Sequence, residues 1–271
     1  PFFINSNPRA LNLPSLLPIQ LITFNVIGYP STSSGTFSVS IGGAVHPLAA
    51  TEDTFPVHTG AFAGIDTNVE YSCVELNNAE SIVKTEDFSH ELQDPAKDKK
   101  TLNEFFERHI TVRALPKIPY TYMALDPSNP RGFKHKQTAT IHITAPPAPI
   151  DETNNVYNSK GYKVDFRFIN SKAVHSQTNI TFNTVGKSSK EHQKQPFKFK
   201  FDTDYNQTFF HRPNIKLRSM VTDPIMMREK LYLDMLNSAG IFTQQGAWVR
   251  LFVNNKIYGL YSIADDIKKI F

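Results

Sequence analysis

Cysteine is nearly absent. Cys73 is the only one among 271 residues, so no internal disulfide can form, and it is expected to be a small apolar filler inside a strand. A domain of this length does not need such staples, so the lone cysteine does not exclude secretion. Glycine is scarce at 12 residues while phenylalanine reaches 21, a balance that favours strands and argues against a helical array. No segment approaches the roughly 20 apolar residues of a membrane-spanning helix. The first residues lack a basic stretch followed by an apolar run, so a signal peptide is absent or already removed. Charge of one sign is lacking too: 29 Lys and Arg against 25 Asp and Glu leave +4, too small an excess to argue for nucleic acid. What is present can build a core, since 40% hydrophobic and 20% charged residues exclude disorder as the overall state.

Residues 1–18 carry Pro8, Pro14 and Pro18 among leucines and read as an extended arm. Residues 19–92 hold short strand-like runs: Ile19–Val26, Thr36–Ile41 with Phe37, Val39 and Ile41 on one face, Ala44–Leu48 returning from Gly42-Gly43, then Phe55–Phe62 and Asn68–Leu76. Short strands at this spacing predict a small immunoglobulin-like β-sandwich. Residues 93–156 read as a connector. Within it lie a short helix over Thr101–Arg108, facing inward through Leu102, Phe105 and Phe106, and proline-rich extended tracts at 115–120 and 145–149. The basic cluster Arg131, Lys134, His135 and Lys136 reads as a solvated loop, because only Phe133 is interleaved and no nucleic-acid motif surrounds it.

Residues 157–271 form a second unit. Strands are expected at Tyr162–Ile169, Gln177–Thr184, Gln195–Asp202 and Ile215–Met220. In the third, Phe197, Phe199 and Phe201 face a core while Lys198 and Lys200 point away. A helix over 224–239 follows, with Asp223 as its cap, Pro224 in its first turn, Met227, Leu231, Met235 and Leu236 at helical spacing, and Gly240 ending it. A hairpin over 248–263 then turns through three residues, Asn254-Asn255-Lys256. The expected class is α+β: an immunoglobulin-like β-sandwich followed by a kinase-like N-lobe, an antiparallel sheet plus one helix. The final run Ile267–Phe271 has no Gly, Pro or polar tail, so the chain reads as a truncated piece of a longer protein.

A strand lysine opposite a helix carboxylate is what a triphosphate site needs, because the cation that meets the phosphates must itself be held in place. Glu229 sits one turn into the expected helix, and Lys194, Lys198 and Lys200 are the strand candidates. The competing reading is that these lysines are solvated charges on the open face of an edge strand. Three segments carry more. They are Lys194-Gln195-Pro196-Phe197-Lys198-Phe199-Lys200-Phe201; Leu217-Arg218 with Asp223-Pro224-Ile225-Met226-Met227-Arg228-Glu229-Lys230-Leu231, then Leu236 and Gly240; and Val249-Arg250-Leu251-Phe252-Val253-Asn254 with Tyr258-Gly259-Leu260-Tyr261, running into Asp265-Asp266-Ile267. In order and spacing they resemble the CotH family, the spore-coat protein H group of atypical kinases and mucoralean fungal surface proteins. The resemblance covers about residues 160–271, and the closing Asp-Asp-Ile looks like the mould branch.

The resemblance implies two functions of different class: host-cell adhesion or invasion by a secreted or surface-anchored fungal protein, and phosphorylation of secreted or spore-coat proteins by an atypical protein kinase. A structural coat protein is the third alternative. It implies a host cell-surface receptor as partner, a surface chaperone or an integrin, and a secreted, cell-surface or spore-surface location. Position by position, Lys194 matches the nucleotide-contacting lysine, Glu229 or Arg228 its helix partner, and Asp265 an acidic residue before the inter-lobe hinge. The loop from Gly186 to His192 would lie over the phosphates, with Ser188 and Ser189 as donors, although its single glycine is no Gly-x-Gly-x-x-Gly or Walker pattern. ATP with Mg is implied for the complete protein only. The family's metal-binding and catalytic carboxylates lie past Phe271, so this chain has no catalytic residue assigned, and no turnover or bound cofactor is expected of it. Asp265 and Asp266 read as capping or hinge groups ahead of metal ligands.

No metal site is expected, because His46, His58, His109, His135, His142, His175, His192 and His211 show no ligand spacing. No Ser sits in a Gly-x-Ser-x-Gly elbow, which argues against a hydrolase. Two sequons, at Asn179 and Asn206, would permit glycosylation in a secreted protein.

Overall fold

The computed structural model describes residues 21–65, 69–92, 99–109, 138–146, 161–202, 208–241 and 243–266. The expected arm at 1–18, the basic cluster at 131–136 and Asn206 lie outside them.

The first part holds β1 (Leu21–Ile27), β2 (Thr36–Ile41), β3 (Ala44–Pro47), β4 (Val57–Ala63), β5 (Val69–Leu76), β6 (Ile82–Thr85), β7 (His90–Leu92) and β8 (Glu104–Phe105). One sheet has the order β4-β1-β8; the other runs β3-β2-β5-β6, with β7 also paired to β5. Period-2 alternation turns Ile22, Phe24 and Val26 of β1 toward Phe37, Val39 and Ile41 of β2, and these share one core with Tyr71, Cys73, Leu92 and Phe106. The stretch expected to be a helix over Thr101–Arg108 is extended instead, and its Glu104–Phe105 segment pairs parallel to β1. The residues explain why: the Thr101 hydroxyl accepts from the Asn25 amide at 2.9 Å, and the Thr101 carbonyl accepts from the Asn25 side chain at 3.0 Å. These bonds tie the segment to β1 over 76 residues of sequence, a pull that local helix propensity cannot match.

The second part holds β9 (Ala139–Thr144), β10 (Tyr162–Ile169), β11 (Val174–Thr184), β12 (Phe197–Lys200), β13 (Asn214–Arg218), β14 (Gly246–Val253) and β15 (Lys256–Asp265). They close into a barrel in the order β10-β11-β12-β13-β15-β14-β9. β9 makes the closure, antiparallel to β10 and parallel to β14. Inward-facing rows fill the barrel: Phe166, Phe168, Phe182, Phe197, Phe199, Phe201 and Phe209 pack with Ile141, Ile180, Ile215, Leu217, Val249, Leu251 and Ile263. The barrel is therefore a packed core.

This architecture corrects the expected class. The chain is mostly β, with one α-helix among the described residues, and the second unit is a closed seven-strand barrel and not an α+β kinase-like lobe with an open antiparallel sheet. The helix, α1 (Arg228–Ser238), starts four residues later than expected because Met226, at φ 53, breaks the first turn. It lies outside the barrel against β14, with Leu233 buried over Gly246, where an added Cβ would come within 2.5 Å of Leu233 Cδ1. The expected apolar stripe faces the other way: Met227, Leu231 and Met235 are all exposed. The final hairpin turns through two residues, since Val253 pairs with Lys256, and Asn254 and Asn255 both have positive φ, the signature of a type I′ turn.

An aromatic seam joins the two parts. Tyr29 stacks on Phe252 at 3.9 Å, and its hydroxyl is 2.8 Å from His142 Nδ1. Arg167 donates to the Phe55 carbonyl at 2.8 Å, Arg250 lies 4.7 Å from the Phe105 ring centre, and Ile27, Val57 and Ile169 form a small buried cluster between the parts.

Candidate functional site: a cationic cleft on the barrel wall

Antiparallel register and alternation place like charges side by side. Lys198 of β12 pairs with Lys216 of β13. Both point out of the barrel because Phe197, Phe199, Ile215 and Leu217 point in, and Arg218 continues the outward row. Two lysines directly opposite repel. Asp266, just past the end of β15, resolves this: its carboxylate lies 2.5 Å from Lys198 Nζ and 2.7 Å from Lys216 Nζ. Burial of Asp266 opposes its ionisation, but hydrogen bonds and charge from the two lysines outweigh that and hold its pKa below the ordinary carboxylate value. Arg218 is fixed by Glu229 at the start of α1, Nε to Oε1 2.8 Å. Burial raises the Glu229 pKa, and the Arg218 charge opposes the rise.

These groups line a cleft of about 1070 Å³ between the outer face of β12 and β13, the loop from Val185 to His192, and the entry to α1. Five cations, Lys187, Lys198, Lys216, Arg218 and Arg228, face three carboxylates, Asp223, Glu229 and Asp266. The lining thus keeps a positive excess even with every carboxylate ionised. The loop bears Ser188 and Ser189 into this space. It curls tightly at Gly186, where φ is 110 and an added Cβ would sit 2.2 Å from Ser189 Oγ, so only glycine fits. At the helix entry, Asp223 accepts from the Arg228 amide at 2.7 Å and the Ile225 amide at 3.3 Å, which places Arg228 and Glu229 at the cleft edge.

The residues singled out in the sequence divide. Ser188, Ser189, Arg228 and Glu229 all line the cleft. Lys194 lies outside the lining: its ammonium donates to the Leu260 carbonyl and sits 4.6 Å from the Tyr261 ring centre, and burial lowers its pKa. Asp265 is held away by Arg212 and by the Gln245 amide at 2.8 Å. Asn179 is exposed on β11 with φ 61. Sequence reasoning gave Lys216 no role and Arg218 only a place in a motif. The signal was available in the outward parity of β13 set against Lys198, once the two strands are paired.

Residues 182–271 match the family model described as CotH kinase protein. Along 91% of its length the chain is also similar to proteins of Rhizopus delemar: 27% identical to invasin CotH3, over 40% of that protein, and 26% identical to invasin CotH2, over 38% of it. It is 26% identical to spore coat protein homolog 1 of the same mould, over 39% of that protein. The chain spans about two fifths of the length of these curated relatives. The family model over residues 182–271 and the relatives along nearly the whole chain together support membership of the CotH family.

Proposed function

We propose that this chain is the phosphate-recognising part of a surface-associated CotH protein, and that the cleft on its barrel wall takes the phosphates of a nucleotide. The observation that carries this reading is the row Lys198, Lys216 and Arg218, each fixed by a carboxylate and all facing one cavity large enough for a nucleotide. A phosphate entering there meets cations already held in position, and the Ser188 and Ser189 hydroxyls lie beside them. Arg218 presents a planar fork suited to two phosphate oxygens, whereas the lysines act as point charges. Mg bound with ATP would neutralise part of the phosphate charge. In the complete protein such a cleft serves phosphoryl transfer onto secreted or coat proteins, with further carboxylates supplied by sequence outside this chain.

The test is calorimetric titration of Mg-ATP into the wild-type chain and into a Lys198→Ala/Lys216→Ala double variant. Micromolar-to-millimolar binding that weakens at least tenfold in the variant, and weakens with added salt, is expected. Equal binding by both proteins, or none by the wild type, sinks the reading.

Adhesion to host cells is the second reading. It draws on the relatives named invasin and on the exposed apolar side chains Ile225 and Met227 just before α1 and Leu231, Tyr232 and Met235 on it. A host receptor, such as a surface chaperone or integrin, would be its partner. Host-cell binding retained by the lysine double variant and lost on Leu231→Glu/Met235→Glu separates it from the phosphate reading.

A further inference from the structure

Four side chains that play no part in the cleft meet inside the two-sheet unit. Cys73 comes from the middle of β5, His90 opens β7, Glu86 precedes it, and Glu104 belongs to β8 of the opposite sheet. Ligand atoms of Cys73, Glu86 and His90 all lie within 4.8 Å of one another. His90 Nε2 is 3.0 Å from Glu86 Oε2, and His90 Nδ1 is 2.6 Å from Glu104 Oε2. Cys73 and Glu86 are buried, and the His90 side chain is 10% exposed.

We propose that Cys73, Glu86 and His90 form a zinc site, with Glu104 as the carboxylate that orients the histidine ring. The donor set is thiolate, imidazole and carboxylate, the mixture that suits zinc and that hard cations such as calcium and magnesium do not select. Bond lengths of about 2.0–2.3 Å put tetrahedral zinc ligands roughly 3–4 Å apart, a separation these atoms reach with small rotations. The contact from Nδ1 to Glu104 is the arrangement that fixes the tautomer and ring plane of a metal-bound histidine, leaving Nε2 for the ion. Glu86 is held for the task by backbone donors: the Cys73 amide at 2.9 Å on Oε2 and the Glu107 amide at 3.0 Å on Oε1.

A divalent cation that displaces the protons of Cys73 Sγ and His90 Nε2 balances the thiolate and the Glu86 carboxylate, while the Glu104 carboxylate is met by the imidazole N–H. Since the ligands come from one sheet and the orienting carboxylate from the other, the ion would clip the two sheets together. Spacing alone could not show this, because the ligands are 13 and four residues apart and only the pairing of β7 and β5 brings them into contact.

The chain, stripped with chelator and dialysed, is titrated with zinc and, in parallel, with cobalt(II). The expected result is one zinc per chain by elemental analysis, a rise in the melting temperature on adding zinc, and a near-ultraviolet thiolate-to-cobalt band. Cys73→Ser, which changes one buried atom, removes that band while the far-ultraviolet circular dichroism stays unchanged. Glu104→Gln keeps the band but weakens affinity about 10–100-fold. A wild-type cobalt spectrum with no thiolate band, or a band that survives Cys73→Ser, overturns the proposal. Because the lysine double variant of the cleft leaves all four residues intact, zinc binding stands or falls separately from nucleotide binding.

Discussion

The barrel keeps its charge outside and the two-sheet unit takes its charge in. On the barrel, Lys198, Lys216 and Arg218 occupy the outward parity of β12 and β13, while inward positions are filled by phenylalanine and aliphatic residues. In the two-sheet unit, Glu75, Glu86 and His58 are buried, and each has a partner: Ser31 for Glu75, the Cys73 amide for Glu86, the Gly28 carbonyl for His58. The difference follows from closure. A closed barrel has no edge strand, so its interior can be filled with apolar side chains. One of the two sheets ends in short exposed strands, β3 and β6, and His90 of β7 reaches across to Glu104 of β8 in the other sheet. Charge on the barrel is available to a ligand; charge between the sheets is committed to structure, and in our proposal to a metal.

The largest effect tests whether the two parts are one cooperative body. Phe199→Ala in the barrel and Phe37→Ala between the sheets each remove a fully buried ring and should cost about 3–5 kcal/mol. If the seam couples the parts, both variants shift the same calorimetric transition. Tyr29→Ala deletes the stack on Phe252 and the bond to His142, and should split that transition in two. A single sharp transition in Tyr29→Ala would show that the seam is not what couples them.

Acid should act on the seam next. Burial lowers both His58 and His142 from 6.5 to about 4, against a small upward pull from the Gly28 carbonyl on His58 and with added repulsion from Arg167 on His142. A base whose folded pKa is depressed takes up its proton more readily when unfolded. The stability tied to its neutral form is therefore complete above pH 6.5 and is lost as pH falls toward 4. Each histidine should contribute a loss on the order of 2 kcal/mol over that window, read as a falling denaturant midpoint. His142→Asn, which removes the titration, should flatten the lower half of the profile; an unchanged slope would contradict the assignment.

Smaller effects separate outer charge from structure. Asp266→Asn unmasks Lys198 and Lys216 to one another, and should lower stability by about 1–2 kcal/mol while tightening anion binding several-fold. A loss of both would mean that the carboxylate itself contacts the ligand. Met235→Lys, on the exposed face of α1, should change stability by less than about 0.5 kcal/mol.

Alternation made much of this readable in advance. The inward Phe197, Phe199 and Phe201, the outward Lys198 and the strand runs of the first 92 residues follow from period 2 alone. What was not readable needed long-range pairing. β9 sits after a long stretch with no strong pattern, and its parallel pairing with β14 is what makes a barrel of an otherwise open sheet. Met227, Leu231 and Met235 stood at helical spacing but are exposed, and the helix instead packs through Leu233 over the small Gly246. Lys194 matched a motif position, yet its ammonium is taken by the Leu260 carbonyl, and the lysines that face the cavity come from register. The Cys73, Glu86 and His90 cluster left no trace in spacing.

The central claim is that phosphates are met by the outer wall of the barrel. Hydrogen–deuterium exchange of the wild-type chain with and without Mg-ATP tests it most directly. Slower exchange confined to 185–192, 216–223 and the first turn of α1, with the Leu260 strand and the two-sheet unit unchanged, is the predicted pattern. Protection centred on Lys194 and Leu260, or spread over the exposed face of α1, would contradict it.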